Sequence, residues 1–232
     1  MKRYIKSAIT NPEDESMDVR FNMASDTNVR SEVLLRLVKD VDVLNDITMI
    51  NAILHNPNTS PDVLFYILTH SVWAASVPIQ LGIVKHPNVS EELLEMLSCS
   101  QDGKVLNAIG KNVKTPTKVL YKLASSPIDN ARMGVAENPK APADILLELS
   151  KDSDVAVLWQ VGKNPSTPPH ILETMLFTDD CRNVLDVVLH NPATSSQAIQ
   201  EFIRKYSGSG AMSLHYLNLA KAELERRGEP LE

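Results

Sequence analysis

The sequence predicts an all-α protein, a solenoid of about seven two-helix repeats with a C-terminal capping helix. Three observations predict it. Prolines outnumber glycines, 14 to 8, and most of them fall in short windows that recur along the 232 residues. The windows begin at residues 26, 56, 86, 112, 138, 164 and 191, so their spacings are 30, 30, 26, 26, 26 and 27, and a near-constant period of this length marks a repeat array. Apolar residues stand at helical spacing on both sides of every window, while aromatics make up only 5% of the chain, which suits thin layers packed with Leu, Ile, Val and Ala.

The elements follow in order. Val19 and Met23 precede the weakest window, Ser25-Asp26-Thr27, and Leu34 and Leu37 follow it. Met49 and Ile53 lead into His55-Asn56-Pro57-Asn58-Thr59-Ser60-Pro61, with Leu64 and Ile67 beyond. Ile79 and Ile83 lead into Lys85-His86-Pro87, with Leu94 and Leu97 beyond. Val105 and Ile109, then Leu120 and Leu123, flank Lys111-Asn112-Val113-Lys114-Thr115-Pro116. Ala131 and Val135, then Leu146 and Leu149, flank Glu137-Asn138-Pro139-Lys140-Ala141-Pro142. Val157 and Val161, then Leu172 and Met175, flank Lys163-Asn164-Pro165-Ser166-Thr167-Pro168. Val184 and Val188, then Ile199 and Phe202, flank His190-Asn191-Pro192-Ala193-Thr194-Ser195.

The windows have a chemical reading. A residue before proline is pushed out of the α region, so the first helix ends at the Asn, which tolerates the left-handed conformation that closes a helix. Ser or Thr then offers an N-cap oxygen, and Pro61, Pro116, Pro142 and Pro168 suit the first turn of the second helix. Glu32, Asp62, Glu92 and Asp144 lie in that turn, where carboxylates complement the helix dipole. The longer 30-residue spacing adds about one helical turn. Gly110 and Gly162, with Ala24 and Ala136, form a column of small residues that lets neighbouring helices approach closely.

The repeats occupy residues 1–204, with residues 1–15 (Asn11-Pro12 before Glu13-Asp14-Glu15) as a partial repeat or N-terminal cap. Residues 205–212 form a short linker around Ser207-Gly208-Ser209-Gly210. Residues 213–232 carry a helix from Ser213 to Arg227, with Leu214, Leu217, Lys221 and Leu224 on one face and Gly228 and Pro230 as its stop. A cap over the end of the array is the plain reading of that helix, and a tethered segment that docks on a partner is the alternative.

Asp154 to Leu172, through Val155-Ala156-Val157-Leu158-Trp159-Gln160-Val161-Gly162-Lys163-Asn164-Pro165-Ser166-Thr167-Pro168, resembles the leucine-rich repeat variant family, as does Ala131 to Leu146. The resemblance covers about residues 16–204 and implies a right-handed superhelix, in the manner of HEAT and armadillo arrays, with no activity attached. The Val-Arg pair of the family stands only at Val19-Arg20, while Arg132 follows Ala131. Some members carry a cysteine-bound iron–sulfur cluster; with only Cys99 and Cys181, this chain implies no such cofactor.

Function classes narrow by exclusion. No apolar run approaches the ~20 residues that span a bilayer, and Met1-Lys2-Arg3-Tyr4-Ile5-Lys6 is not followed by the apolar stretch of a signal peptide, so a cytoplasmic, membrane-free protein is expected. Two cysteines make neither a disulfide framework nor a metal site. His170 and Glu173 share a helix face without a second pair, and His55, His86 and His190 sit at helix ends, where the dipole explains them. No nucleophile, base and orienting group can be assembled, so no catalytic, cofactor or metal site is expected.

Charge is the one uneven feature of a chain with 22% charged residues and a net charge of −6. No acid lies between Asp102 and Asp129, where Lys104, Lys111, Lys114, Lys118 and Lys122 fall. Lys114, Lys118 and Lys122 are four apart and read as one helix face, and stacking adds Lys85, Lys140 and Lys163 to a basic edge. The opposite edge reads Asp42, Asp102, Asp154 and Asp180, with Asp40, Asp129, Asp152 and Asp179 beside them. Capping accounts for each edge, but Lys118 lies in a first turn, where a cation is disfavoured. A non-enzymatic scaffold that binds a protein partner through its concave face or charged edges is the first reading. A nucleic-acid binder that uses the lysine patch is the second, disfavoured by the net charge. An acidic inhibitor that occludes a basic nucleic-acid-binding site is the third. The sequence leaves the oligomeric state open.

Overall fold

The computed structural model describes residues 15–208, 210 and 212–230. Residues 1–14 of the expected N-terminal cap, Ser209 and Ala211 of the linker, and residues 231–232 lie outside them. Every regular element among the described residues is helical. The chain forms two compact units, the first ending at Ala108 and the second running from Ile109, so that the division falls inside the helix Gly103–Lys111.

The first unit contains α1 (Met17–Ser25), α2 (Ser31–Lys39), α3 (Val41–Asn45), α4 (Ile47–His55), α5 (Pro61–His70), α6 (Val77–Lys85) and α7 (Glu91–Leu97), and it holds the start of α8 (Gly103–Lys111). Helices that precede a window pack on one another, α1 on α4 and α4 on α6, and α2, which follows a window, packs on α5. Met49, Ile53, Ile79 and Ile83 of the first set and Leu34, Leu64 and Leu94 of the second are fully buried, as the apolar columns require.

The extra residues of the 30-residue spacings are not the single added turn expected. In one repeat they form α3, a separate short helix. Asp40 caps it through the amides of Asp42 and Val43 (2.8 and 3.4 Å), and Asp46 caps the following α4 through Thr48 and Met49 (2.7 and 3.3 Å). In the next, α5 is long and a turn carries the chain to α6, with the Trp73 indole N–H donating to the Asn45 carbonyl at 3.0 Å. Two capping aspartates within seven positions make separate helices better than one long one.

The second unit contains the end of α8, then α9 (Thr117–Ala124), α10 (Asp129–Glu137), α11 (Ala143–Leu149), α12 (Val155–Lys163), α13 (Pro169–Phe177), a 3-10 segment (Asp179–Val184), α14 (Leu185–His190), α15 (Ser196–Tyr206) and α16 (Leu214–Arg227). The same parity holds: α10 packs on α12 and α12 on α14, while α9 packs on α11 and α13 on α15. The close approach that small residues permit is realised at Gly110, where an added Cβ would lie 2.7 Å from the backbone of Gly134 and Val135. α16 packs on α14 and α15, inside the unit.

The windows hold their shape differently from the expected manner. Asn56, Asn138, Asn164 and Asn191 have φ between −65° and −81° and ψ between 118° and 126°, extended backbone that any residue adopts. The left-handed role is therefore corrected: these Asn side chains are buried and tie one window to the next. The Asn138 amide donates to the carbonyls of Gly110 and Asn112 at 2.7 and 3.0 Å, that of Asn164 to Ala136 and Asn138 at 2.7 and 2.9 Å, and that of Asn191 to Gly162 and Asn164 at 2.7 and 3.0 Å. In the first unit the Asn56 amide donates to Ala24 and Asp26 at 2.8 and 3.0 Å. Each Oδ1 also accepts the amide N–H two residues on, as in an Asx turn.

His86 stands in the Asn place. Its Nδ1 accepts the Asn88 N–H at 3.1 Å, so its Nε2, 3.1 Å from the Asn56 carbonyl, is the donor. The threonines are also reassigned. Thr59, Thr115, Thr167 and Thr194 do not cap the second helix; each hydroxyl donates to a carbonyl six residues back (Ile53, Ile109, Val161 and Val188) at 2.5–2.6 Å and closes the first helix. Ser90 and Ser195 do cap, through Leu93 and Ala198. Pro61 is the first residue of α5, whereas Pro116, Pro142 and Pro168 stand one place earlier, as the capping residues of α9, α11 and α13.

Candidate functional site

Two of the four aspartates expected on the acidic edge are helix caps. Asp102 caps α8 through Lys104 and Val105 (2.8 and 3.2 Å), and Asp154 caps α12 through Ala156 and Val157 (2.7 and 3.3 Å). The equivalent cap of α4 is Asp46, so Asp42, inside α3, does not belong to that column. Nor does Asp180: the corresponding position is Cys181, buried in the 3-10 segment with its thiol raised by burial and by Asp180. Asp179 pairs with Arg182 at 2.8 Å.

Two further aspartates meet the arginines that stand out in the repeats. Arg20 binds Asp40 at 2.9 Å, and Arg132 binds both oxygens of Asp152 at 2.7 and 3.0 Å. Gln80 and Ser100 occupy the same relation, 20 residues apart, at 3.2 Å. Burial pushes the Asp152 carboxyl up, but the Arg132 guanidinium and the Asp154 amide outweigh it and hold the group below its ordinary value. Arg132–Asp152 and Gln80–Ser100 each tie a helix that precedes a window to the turn leading into the next such helix, and Arg20–Asp40 ties α1 to the start of α3. The arginines were visible in the sequence; their partners were not.

Lys85 belongs to the first unit, and Lys111, Lys114, Lys118, Lys122, Lys140 and Lys163 to the second; all are exposed. Lys111 pairs with Glu137 at 3.6 Å, and the Lys163 ammonium lies 4.7 Å from the centre of the Trp159 ring. Lys114 and Lys140 occupy equivalent turns, their backbone amides held by Asn112 and Asn138 at 2.9 and 2.8 Å. Because α9 starts at Thr117, Lys118 and Lys122 share that helix but Lys114 precedes it, which corrects the expected three-lysine face. Of the remaining candidates, Glu173 accepts the Ser195 hydroxyl at 2.8 Å and so belongs to the cap of α15. Among the described residues no three His, Cys, Asp or Glu side chains gather as ligands for a metal ion.

No motif in the sequence marks a groove of about 710 Å³ in the first unit. It runs over α4, α6 and the start of α8. Leu54, Val77, Pro78 and Leu81 form its apolar floor, and His55, Lys85 and Lys104 stand around it. Gly82 opens the floor: an added Cβ there would meet Leu54 Cδ1 at 3.1 Å.

At the other end of the chain, buried Glu223 of α16 binds Arg226 and Arg227 at 2.6 and 2.7 Å. The Arg226 hydrogen bond and the Arg227 pairing overcome burial and hold the carboxyl at about 2. Arg227 in turn donates to the carbonyls of Asn191 (3.1 Å), Leu189 (3.4 Å) and Thr194.

The chain matches no family model, no curated protein and no solved structure. No helix among the described residues is long and apolar enough to cross a membrane.

Proposed function

We propose that the chain is a right-handed, leucine-rich-repeat-variant-like solenoid of about seven two-helix repeats that serves as a non-enzymatic scaffold for a protein partner. The observation that carries this reading is the side-chain ladder, Asn56 to His86 in the first unit and Asn138 to Asn191 in the second, which joins successive windows in register. A backbone-to-side-chain ladder of this kind suits an array whose repeats contact only their neighbours. Asp102 and Asp154 of the acidic edge are occupied in capping and the neighbouring Asp152 in pairing, which favours a partner-binding surface over imitation of nucleic acid. The net charge of −6 disfavours a phosphate ligand.

Immobilised full-length chain tests the proposal in a cytoplasmic extract, beside a mobility-shift assay with DNA and RNA at low and at higher salt. The expected result is a protein retained at stoichiometric amount, with no shift of either nucleic acid. A salt-sensitive shift together with no retained protein would replace the scaffold reading with the nucleic-acid one. In the same assay K114E/K118E/K122E decides whether the lysines of the second unit take part: retention unchanged by the triple variant removes them from the binding surface.

A further inference from the structure

We infer that the groove over α4 and α6 is a docking site for an acidic peptide segment that lays apolar side chains on its floor. The inference rests on the scaffold reading and names the chemistry of the partner.

Charge complementarity carries it. The chain as a whole is acidic, yet neither α4 nor α6 contains a carboxylate, and His55, Lys85 and Lys104 surround the groove. Among the described residues neither Lys85 nor Lys104 has a carboxylate partner, in contrast to Lys111 with its Glu137. Lys85 sits in the last turn of α6, where the dipole accounts for a cation, but Lys104 sits in the first turn of α8, where the dipole opposes one. A cation placed against the dipole beside an apolar floor has no capping explanation.

The floor excludes the simplest anions. Leu54, Val77, Pro78 and Leu81 offer no hydrogen-bond donor from a side chain, so a bare phosphate or a sugar-phosphate backbone would lose water there without replacement. A peptide supplies both components, carboxylates for the surrounding cations and apolar side chains for the floor, and about 710 Å³ lies within the range of sites that hold ligands of this size. On α6 the floor positions Pro78, Leu81 and Gly82 stand where α4 has Thr48, Asn51 and Ala52, while Val77 stands where it has Ile47. Pro78 and Leu81 are therefore a local departure from the repeat, laid beside Leu54 of the core.

The experiment uses the full chain and fluorescence anisotropy with a labelled peptide composed of Glu and Leu. Three comparison probes are a Lys/Leu peptide, a Glu/Ser peptide and a single-stranded oligonucleotide. Binding of Glu/Leu alone is expected, weaker as salt rises, and reduced roughly tenfold or more in K85E/K104E. G82L fills the floor, its Cβ meeting Leu54 Cδ1 at 3.1 Å, and is expected to abolish binding while circular dichroism shows the chain still folded. No binding of the Glu/Leu peptide overturns the inference, as does equal affinity in K85E/K104E and G82L. Equal binding of Glu/Ser removes the floor from the account, and binding of the oligonucleotide in preference to the peptide reassigns the groove to phosphate. If a protein retained by the wild-type chain is retained equally by K85E/K104E and G82L, the groove assignment falls while the scaffold reading stands.

Discussion

Replacing Asn164 tests whether the windows are held by their side chains or by their backbone conformation. Asn164 is 3% exposed; its amide donates to Ala136 and Asn138, and its Oδ1 accepts from Ser166. In Asn164→Ala the Ala136 carbonyl, in the last turn of α10, loses a buried partner at a cost of about 1–3 kcal/mol. The Asn138 carbonyl still accepts the Ala141 N–H at 3.0 Å, and Ser166 is exposed, so these two lost bonds cost about 1 kcal/mol each. The expected loss is about 3–5 kcal/mol, a large part of the stability of any domain. Asn164→Asp is the sharper perturbation. The shape is kept, but a carboxylate cannot donate, and its oxygen would face two carbonyl oxygens at the distances now bridged by the amide. Asp is expected to destabilise more than Ala. Urea unfolding followed by circular dichroism measures both, with the slope checked against wild type so that midpoints can be compared. Pro165→Ala, which leaves the ladder intact, is the control. If the residue mattered only as a turn former, its φ of −65° would be available to alanine and Asp would serve as well as Asn. A loss under about 1 kcal/mol in Asn164→Ala, or a wild-type midpoint in Asn164→Asp, refutes the ladder.

Three further outcomes are expected. His86→Asn keeps the rung and stays within about 1 kcal/mol of wild type in urea, whereas His86→Ala loses about 2 kcal/mol, because the Asn56 carbonyl and the Asn88 amide each lose a partner. Gly110→Ala lowers the melting temperature despite alanine's helix propensity, since its Cβ would sit 2.7 Å from the Gly134 and Val135 backbone; a raised melting temperature would contradict that contact. The Glu223 carboxyl is held at about 2, below its ordinary 4.5, so it stabilises the fold above about pH 4.5 and loses that contribution as pH falls towards 2. Glu223→Gln is therefore expected to cost about 2–3 kcal/mol at neutral pH and to flatten the dependence of thermal stability on pH across that interval.

The helical class and the apolar columns were legible because period and spacing are properties of the chain itself: Leu34, Leu64, Leu94, Ile53 and Ile83 are buried as their positions required. The reason for the Asn column was not legible. A turn role and a bridging role leave the same letter before the same proline, and only the placement of one window beside the previous one distinguishes them. The same limit applied to charge. Asp102 and Asp154 could be read as caps from local sequence, but Asp152 finds Arg132 20 residues away through packing that no local rule supplies. The groove was hidden for a related reason. It depends on a side chain that is missing at Gly82 and on Leu54 from the preceding repeat, and an absence has no motif.

The rungs share one chemical requirement. Asn56, Asn138, Asn164 and Asn191 use a carboxamide, and His86 uses an imidazole with its donor fixed on Nε2. Leu189 and Asn191 present the same pair of carbonyls that Gly162 and Asn164 present to Asn191. Arg227 fills that place from α16, its guanidinium donating to both and to Thr194, while Glu223 holds it there. Three side-chain chemistries meet one requirement: a donor aimed at the carbonyls where a helix ends, two of them for Asn and Arg and the Asn56 carbonyl alone for His86. That requirement accounts for the contact of α16 with α14 and α15. A column in a repeat alignment is thus a statement about hydrogen-bond donors, and a position that breaks the letter while keeping the donor, as His86 and Arg227 do, still belongs to it.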